Sequence, residues 1–165
     1  AVQQFLRACL GGAQPQTFTP GTGQPARMFA GEDRAMHYVA PMPAQLGDGG
    51  LFVQTLQLVR DGSNGDYTLQ LTYAPLSGDT ASAKPSQPQT LLLHVADGHF
   101  RYLAAANNVD HARWLSAWKD SNGMPLAVRI DLRPGWRDRV GFPALLIPLR
   151  AGNGYALPLP PGTMQ

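Results

Sequence analysis

One cysteine, Cys9, stands in 165 residues, so neither an internal disulfide nor a thiolate metal cluster can form. Basic residues (13) barely outnumber acidic ones (11), the formal net charge is +2, and no run of lysine or arginine occurs. A nucleic-acid footprint and a polybasic membrane-surface segment are both excluded on that ground. No apolar stretch approaches the roughly 18 residues that a spanning helix needs, and these residues hold no signal-peptide pattern. Nucleophile elbows, phosphate-cradling loops and dinucleotide fingerprints are also missing. We therefore expect no enzyme: no catalytic residues, no cofactor and no metal.

Glycine (18) and proline (15) are plentiful and make up one residue in five. Both break helix interiors, which points to short strands and many turns. A hydrophobic share of 44% is enough for one packed domain.

Residues 1–10 are the exception. Apolar side chains at 1, 2, 5, 6, 9 and 10 have helical spacing, and Gly11-Gly12 ends the run. The pattern opens with no capping residue, so we expect these residues to be the end of a longer helix. The division expected is residues 1–12 as helix end and 13–165 as a β-rich head. Cys9 lies within the stripe, where a packed thiol is the better reading than a nucleophile.

After an irregular stretch at 11–27, the period becomes two. Residues 35–40, 51–60 and 67–73 read as strands, the last two joined through the turn-rich tract 61–66. Residues 77–89 read as a surface loop. Residues 90–95 and 99–104 read as two strands about an Ala96-Asp97-Gly98 turn. Residues 125–132 alternate again, 143–150 suit an edge strand because of their prolines, and the tail 157–165 is proline-rich.

The four histidines, His37, His94, His99 and His111, have no cluster of partner ligands and read as surface or hairpin residues. The tracts 61–66 and 120–123 carry oxygen ligands. However, twelve positions counted from Asp61 end on Thr72, not on the bidentate glutamate of a calcium loop. Trp114 and Trp118, with Tyr102 before them, form a core cap if buried and a sugar-stacking platform if exposed in line. An Asp110–His111 pair is the most that a hydrolase reading can draw on.

One family unites these features. Phe100-x-Tyr102-Leu103, Trp114-x-x-x-Trp118, Met124-Pro125 and Ala127-Val128-Arg129-Ile130 follow one another in that order. Upstream stand Met28-Phe29-Ala30-Gly31, Met36-His37-Tyr38-Val39 and Gly50-Leu51. Over residues 28–132 the chain resembles the J-type minor pseudopilins of type II secretion. Two departures are the long linker 77–89 and the segment 104–111, which stands where a shorter acidic turn is expected. The methylation motif and membrane helix of that family do not occur in these residues, so a type IV minor pilin stays open, as does a periplasmic carbohydrate-binding β-domain.

The resemblance implies an α+β, mainly β fold: a helix leading into two antiparallel sheets. It implies a non-enzymatic subunit held in the inner membrane by an N-terminal helix, with this head in the periplasm. It also implies I-type and K-type minor pseudopilins as partners at a filament tip, where the secreted substrate is a further expected contact. Val2, Phe5, Leu6 and Leu10 are then the candidate partner-binding stripe, with Phe5 and Cys9 partly internal and Val2 and Leu6 outward. Tyr102, Trp114 and Trp118 are the candidate aromatic core.

Overall fold

The computed structural model describes residues 2–21, 23–42, 50–61, 65–76, 85–107, 111–135 and 142–151. One helix, α1 (Val2–Gly11), precedes eight strands: β1 (Phe29–Gly31), β2 (Ala35–Pro41), β3 (Leu51–Arg60), β4 (Tyr67–Pro75), β5 (Gln89–Ala104), β6 (Arg113–Leu115), β7 (Ala127–Pro134) and β8 (Leu145–Pro148). Every pairing is antiparallel, and the order is β1-β2-β3-β4-β5-β7-β8, with β6 on β5.

The strands at 35–40, 51–60 and 67–73 form as the alternation requires. β3 and β4 make the expected hairpin, with Arg60 opposite Tyr67. Among the described residues β8 pairs only with β7, so the proline-bearing strand is an edge there. Two short strands, β1 and β6, escape the sequence pattern because three residues cannot display a period. Parts of the 61–66, 77–89 and 104–111 tracts, Asp110 and the tail 157–165 lie outside the described residues.

The expectation of two sheets is corrected: the strands form one hydrogen-bonded sheet. The reason lies in β5. Residues 90–95 and 99–104 are not two strands about a turn but one strand of 16 residues. At about 3.3 Å per residue it is roughly 50 Å long, enough to serve both halves of the sheet. Its first half pairs with β4, from Gln89 to Val95, and its second with β7, from Val95 to Tyr102.

The junction is irregular. His94 adopts φ 60°, a left-handed conformation rare in side-chain-bearing residues, and the register slips between Val95 and Asp97. The glycine that suggests a turn has another purpose. A Cβ on Gly98 would come within 2.7 Å of both Leu58 Cδ1 and Leu132 Cδ2, so the bare backbone lets the two halves close on each other.

One main core results, shared by α1, the inner faces of β1–β4 and those of β5, β7 and β8. Its largest fully buried side chains include Tyr38, Tyr102, Phe29, Phe100, Leu6 and Leu10. A smaller cluster covers the opposite side of the first strands. There the 13–28 connection lays Phe18 against Ala30 and Val39, pinned by backbone pairs of Gln14 with Val39 and Phe18 with Arg27.

Candidate functional site

The signature residues meet in space. Phe29 stacks on Tyr38 with ring centres 6.2 Å apart and meets Tyr102 edge-on at 5.7 Å. The Tyr102 hydroxyl donates to the carbonyl of Glu32 at 2.6 Å, with that of Ala35 at 3.2 Å. Its ring lies against Gly31, whose missing Cβ would fall 2.3 Å from Tyr102 Cζ. Trp118 closes the β1 edge: its N–H and C=O pair with Gly31, and its indole N–H donates to Gly123 C=O at 3.1 Å. A sheet edge that would otherwise template association is thereby occupied.

Tyr102 is fully buried and Trp118 is 7% exposed. Trp114, assigned to the core from the sequence, is corrected: it is 39% exposed, because it pairs with Leu103 on the outward side of β5 while Leu115 faces inward beside Tyr102. With Tyr102 and Trp118 buried, the line of exposed aromatics that sugar stacking needs does not exist, and that reading is set aside.

The helix stripe is likewise redistributed. Leu6 and Leu10 are buried against the protein's own sheet, and Cys9 is buried too. They are therefore not surface contacts for a partner, which corrects the outward assignment of Leu6. A ten-residue helix is marginal alone, and this packing is what holds it. Val2 and Phe5 remain half-buried, Val2 against the core margin. Burial also pushes the Cys9 thiol up to about 12, so it stays protonated and unreactive near neutral pH.

A network that the sequence reading missed ties the turn between β1 and β2 to the second half of β5. Asp33 accepts from Arg101, and His99 Nδ1 lies 3.0 Å from its Oδ2. Asp97 accepts from Arg34 at 3.0 Å and sits 3.4 Å from His99 Nε2. Backbone bonds from Phe100 N–H to Asp33 C=O and from Leu58 N–H to Arg34 C=O complete the clamp. Arg101 and Arg129 face each other across β5 and β7, a like-charge pair relieved by Asp33 on one and Asp131, at 2.9 Å, on the other. The signal was present as charges at every second position, Asp97-His99-Arg101 and Arg129-Asp131-Arg133, which marks two outward strand faces.

Electrostatics predicts an acid response. Partial burial pushes the Asp33 carboxyl up, but hydrogen bonds from Arg101 and His99 outweigh it and leave it below the ordinary range. Asp97 is lowered chiefly by Arg34. His37, with Nδ1 2.8 Å from Thr55 Oγ1, is lowered by burial against a small opposing pull from Glu32. All three groups are depressed on folding, so each contribution is complete above the unfolded value and is lost as the pH falls through the folded one. The loss from His37 begins first, as the pH falls below the ordinary histidine value of about 6.5, and that from the aspartates below the ordinary carboxylate value of about 3.9. In melts between pH 8 and pH 3, His37→Gln should remove part of the loss below pH 6.5, and Asp33→Asn part of the loss at the acid end. Because the aspartates are more than one-third exposed, each pair should contribute only about 0.2–1 kcal/mol. Identical melting curves for wild type and His37→Gln between pH 7 and pH 4.5 would refute the histidine assignment.

Among the described residues no three His, Cys, Asp or Glu side chains gather as a metal site. The cleft bounded by Phe18, His37, Val53, Thr55 and Tyr73 holds about 190 Å³, and a shallow one bounded by Gly11, Gly12, Ala13, Gln14, Arg150 and Ala151 holds about 300 Å³, the low end of the range for small-molecule pockets. The histidines lie on strands or at the β5 irregularity, apart from His111, just before β6.

No protein-family model matches the chain. A direct comparison is decisive: over 160 residues, 95% of this chain and 74% of the relative, it is 31% identical to type II secretion system protein J of Xanthomonas campestris pv. campestris. The chain belongs to the type II secretion system protein J family. Protein J is a minor pseudopilin, a structural and non-enzymatic subunit of the secretion apparatus. The match favours a secretion subunit over a type IV minor pilin. The family is anchored in the inner membrane and lies in the periplasm. No helix among the described residues is long and apolar enough to cross a membrane. The aromatic cluster is accordingly a device for building the fold of this protein J chain.

Proposed function

We propose that this chain is the head of a tip subunit that joins I-type and K-type minor pseudopilins and primes assembly of the pseudopilus. The observation that carries the reading is the match to protein J along 95% of the chain. The half-buried flank of α1, Val2 and Phe5, supplies the helix contact with neighbouring subunits. Leu6 and Leu10 serve it indirectly, by fixing that helix to the sheet. Such a subunit works by presenting rigid complementary surfaces, and the secreted substrate is a further contact at the tip.

Mixing this chain with its purified cognate I-type and K-type subunits should give a 1:1:1 complex by size-exclusion chromatography with light scattering. Absence of any complex at tens of micromolar of each subunit would reject the reading.

A further inference from the structure

Asn-Gly occurs three times in the chain, at 64–65, 122–123 and 153–154. The pair Asn122-Gly123 lies between β6 and β7, in the turn that follows Trp118. Asp120 shapes that turn: its Oδ1 accepts the backbone N–H of Asn122 at 3.0 Å. Its Oδ2 leaves no room for a side chain at position 123, where a Cβ would lie 2.8 Å from it. The turn therefore requires a glycine after Asn122.

That glycine leaves the peptide nitrogen beside the asparagine unshielded. Asn122 is exposed. Neither its side-chain amide nor the Gly123 N–H has a hydrogen-bond partner among the described residues. The two groups that must meet for an asparagine to cyclise are both unengaged.

We propose that Asn122 is a site of spontaneous deamidation, and that its isoaspartyl product loosens the latch on the β1 edge. The Gly123 nitrogen attacks Asn122 Cγ and forms a C–N bond. The side-chain nitrogen leaves as ammonia, carrying the proton of the Gly123 N–H. One water then opens the cyclic imide at either carbonyl, giving aspartate or isoaspartate. Nothing is oxidised or reduced, and water is the sole co-reactant.

The isoaspartyl form adds a methylene to the main chain and sets a new carboxylate two residues from Asp120. Gly123 comes next in the chain, and its C=O accepts the Trp118 indole N–H at 3.1 Å. Trp118 in turn closes β1 through two backbone bonds with Gly31, at 2.9 and 3.2 Å. A longer, more negative turn shifts the Gly123 carbonyl away from the indole. Trp118 then holds the strand edge less tightly.

The test is to age the folded chain for weeks in mildly alkaline buffer, with Asn64→Gln and Asn153→Gln keeping the other two pairs silent. Trypsin, cutting after Lys119 and Arg129, releases residues 120–129 as one peptide. That peptide should gain one mass unit and split into two chromatographic forms, the isoaspartyl one larger. Ion exchange separates the modified chain by its added negative charge. Its melting temperature should fall by roughly 2–4 °C, the equivalent of about one hydrogen bond. Hydrogen exchange at the Gly31 amide should quicken about tenfold. A chain that also carries Asn122→Gln should keep its fresh mass, melting temperature and exchange rate. Deamidation of the peptide in urea but not in the folded chain would overturn the site. A modified chain with the melting temperature and Gly31 exchange of the fresh one would overturn its coupling to the edge.

Discussion

Gly31→Ala is expected to cost about 3 kcal/mol, the upper end for overpacking a filled core. The new methyl carbon would lie 2.3, 2.6 and 2.7 Å from Cζ, Cε1 and Cε2 of Tyr102. Ordinarily a side chain that close swings away, but this one is fully buried, packed edge-on against Phe29 and bonded through its hydroxyl to Glu32 C=O. Gly31 cannot retreat either, because its backbone is paired with Met36 on one side and Trp118 on the other. At about 2–4 °C per kcal/mol for a domain of this size, the melting temperature should fall by roughly 6–12 °C. A double-mutant cycle isolates the cause. In a Tyr102→Ala background the same glycine change should cost much less, because the ring it strikes is gone. Equal costs in the two backgrounds would show that Gly31 is needed for its backbone alone.

Leu10→Ala is expected to destabilise the head, with no partner present, by about 2–5 kcal/mol. Leu10 is completely buried in the core that α1 shares with β2 and β8. Substitution removes apolar contacts and leaves a cavity, and a ten-residue helix cannot persist undocked. Helical ellipticity should therefore be lost with, or before, the main unfolding step. Gln4→Ala, on the exposed side of the same helix, should stay within about 0.5 kcal/mol of wild type. Urea denaturation of the chain alone separates the possibilities. A Leu10→Ala chain as stable as wild type would return the stripe to the role of a partner-binding surface.

The two substitutions show where sequence reasoning was strong and where it ran out. Phe29, Gly31, Tyr102 and Trp118 stood out by their order, yet order alone gives no contacts. Seventy positions separate Glu32 from the hydroxyl that Tyr102 places on its carbonyl. The two tryptophans were indistinguishable by composition and spacing. A four-residue interval puts residues on one side of a helix and also of a strand, but Trp118 lies beyond β6, where the chain has turned to bridge Gly31. Its neighbour four positions earlier was left on the open face.

By itself, the sequence determined the α1 stripe, the β2, β3, β4 and β7 alternations, the proline-marked β8 edge and the β3–β4 hairpin. Local periodicity and turn chemistry act over a few residues and need no knowledge of distant partners. It also determined the family, through the order of its aromatic and glycine motifs. Tertiary structure alone decided that Ala96-Asp97-Gly98 continues a strand instead of turning, because Leu58 and Leu132 arrive from other strands to fill the space above Gly98. It also made one sheet of the expected two, took Leu6 and Leu10 inward and left Trp114 outward. Each of those outcomes depends on which surfaces meet across long stretches of chain, and a residue's immediate neighbours carry no record of that.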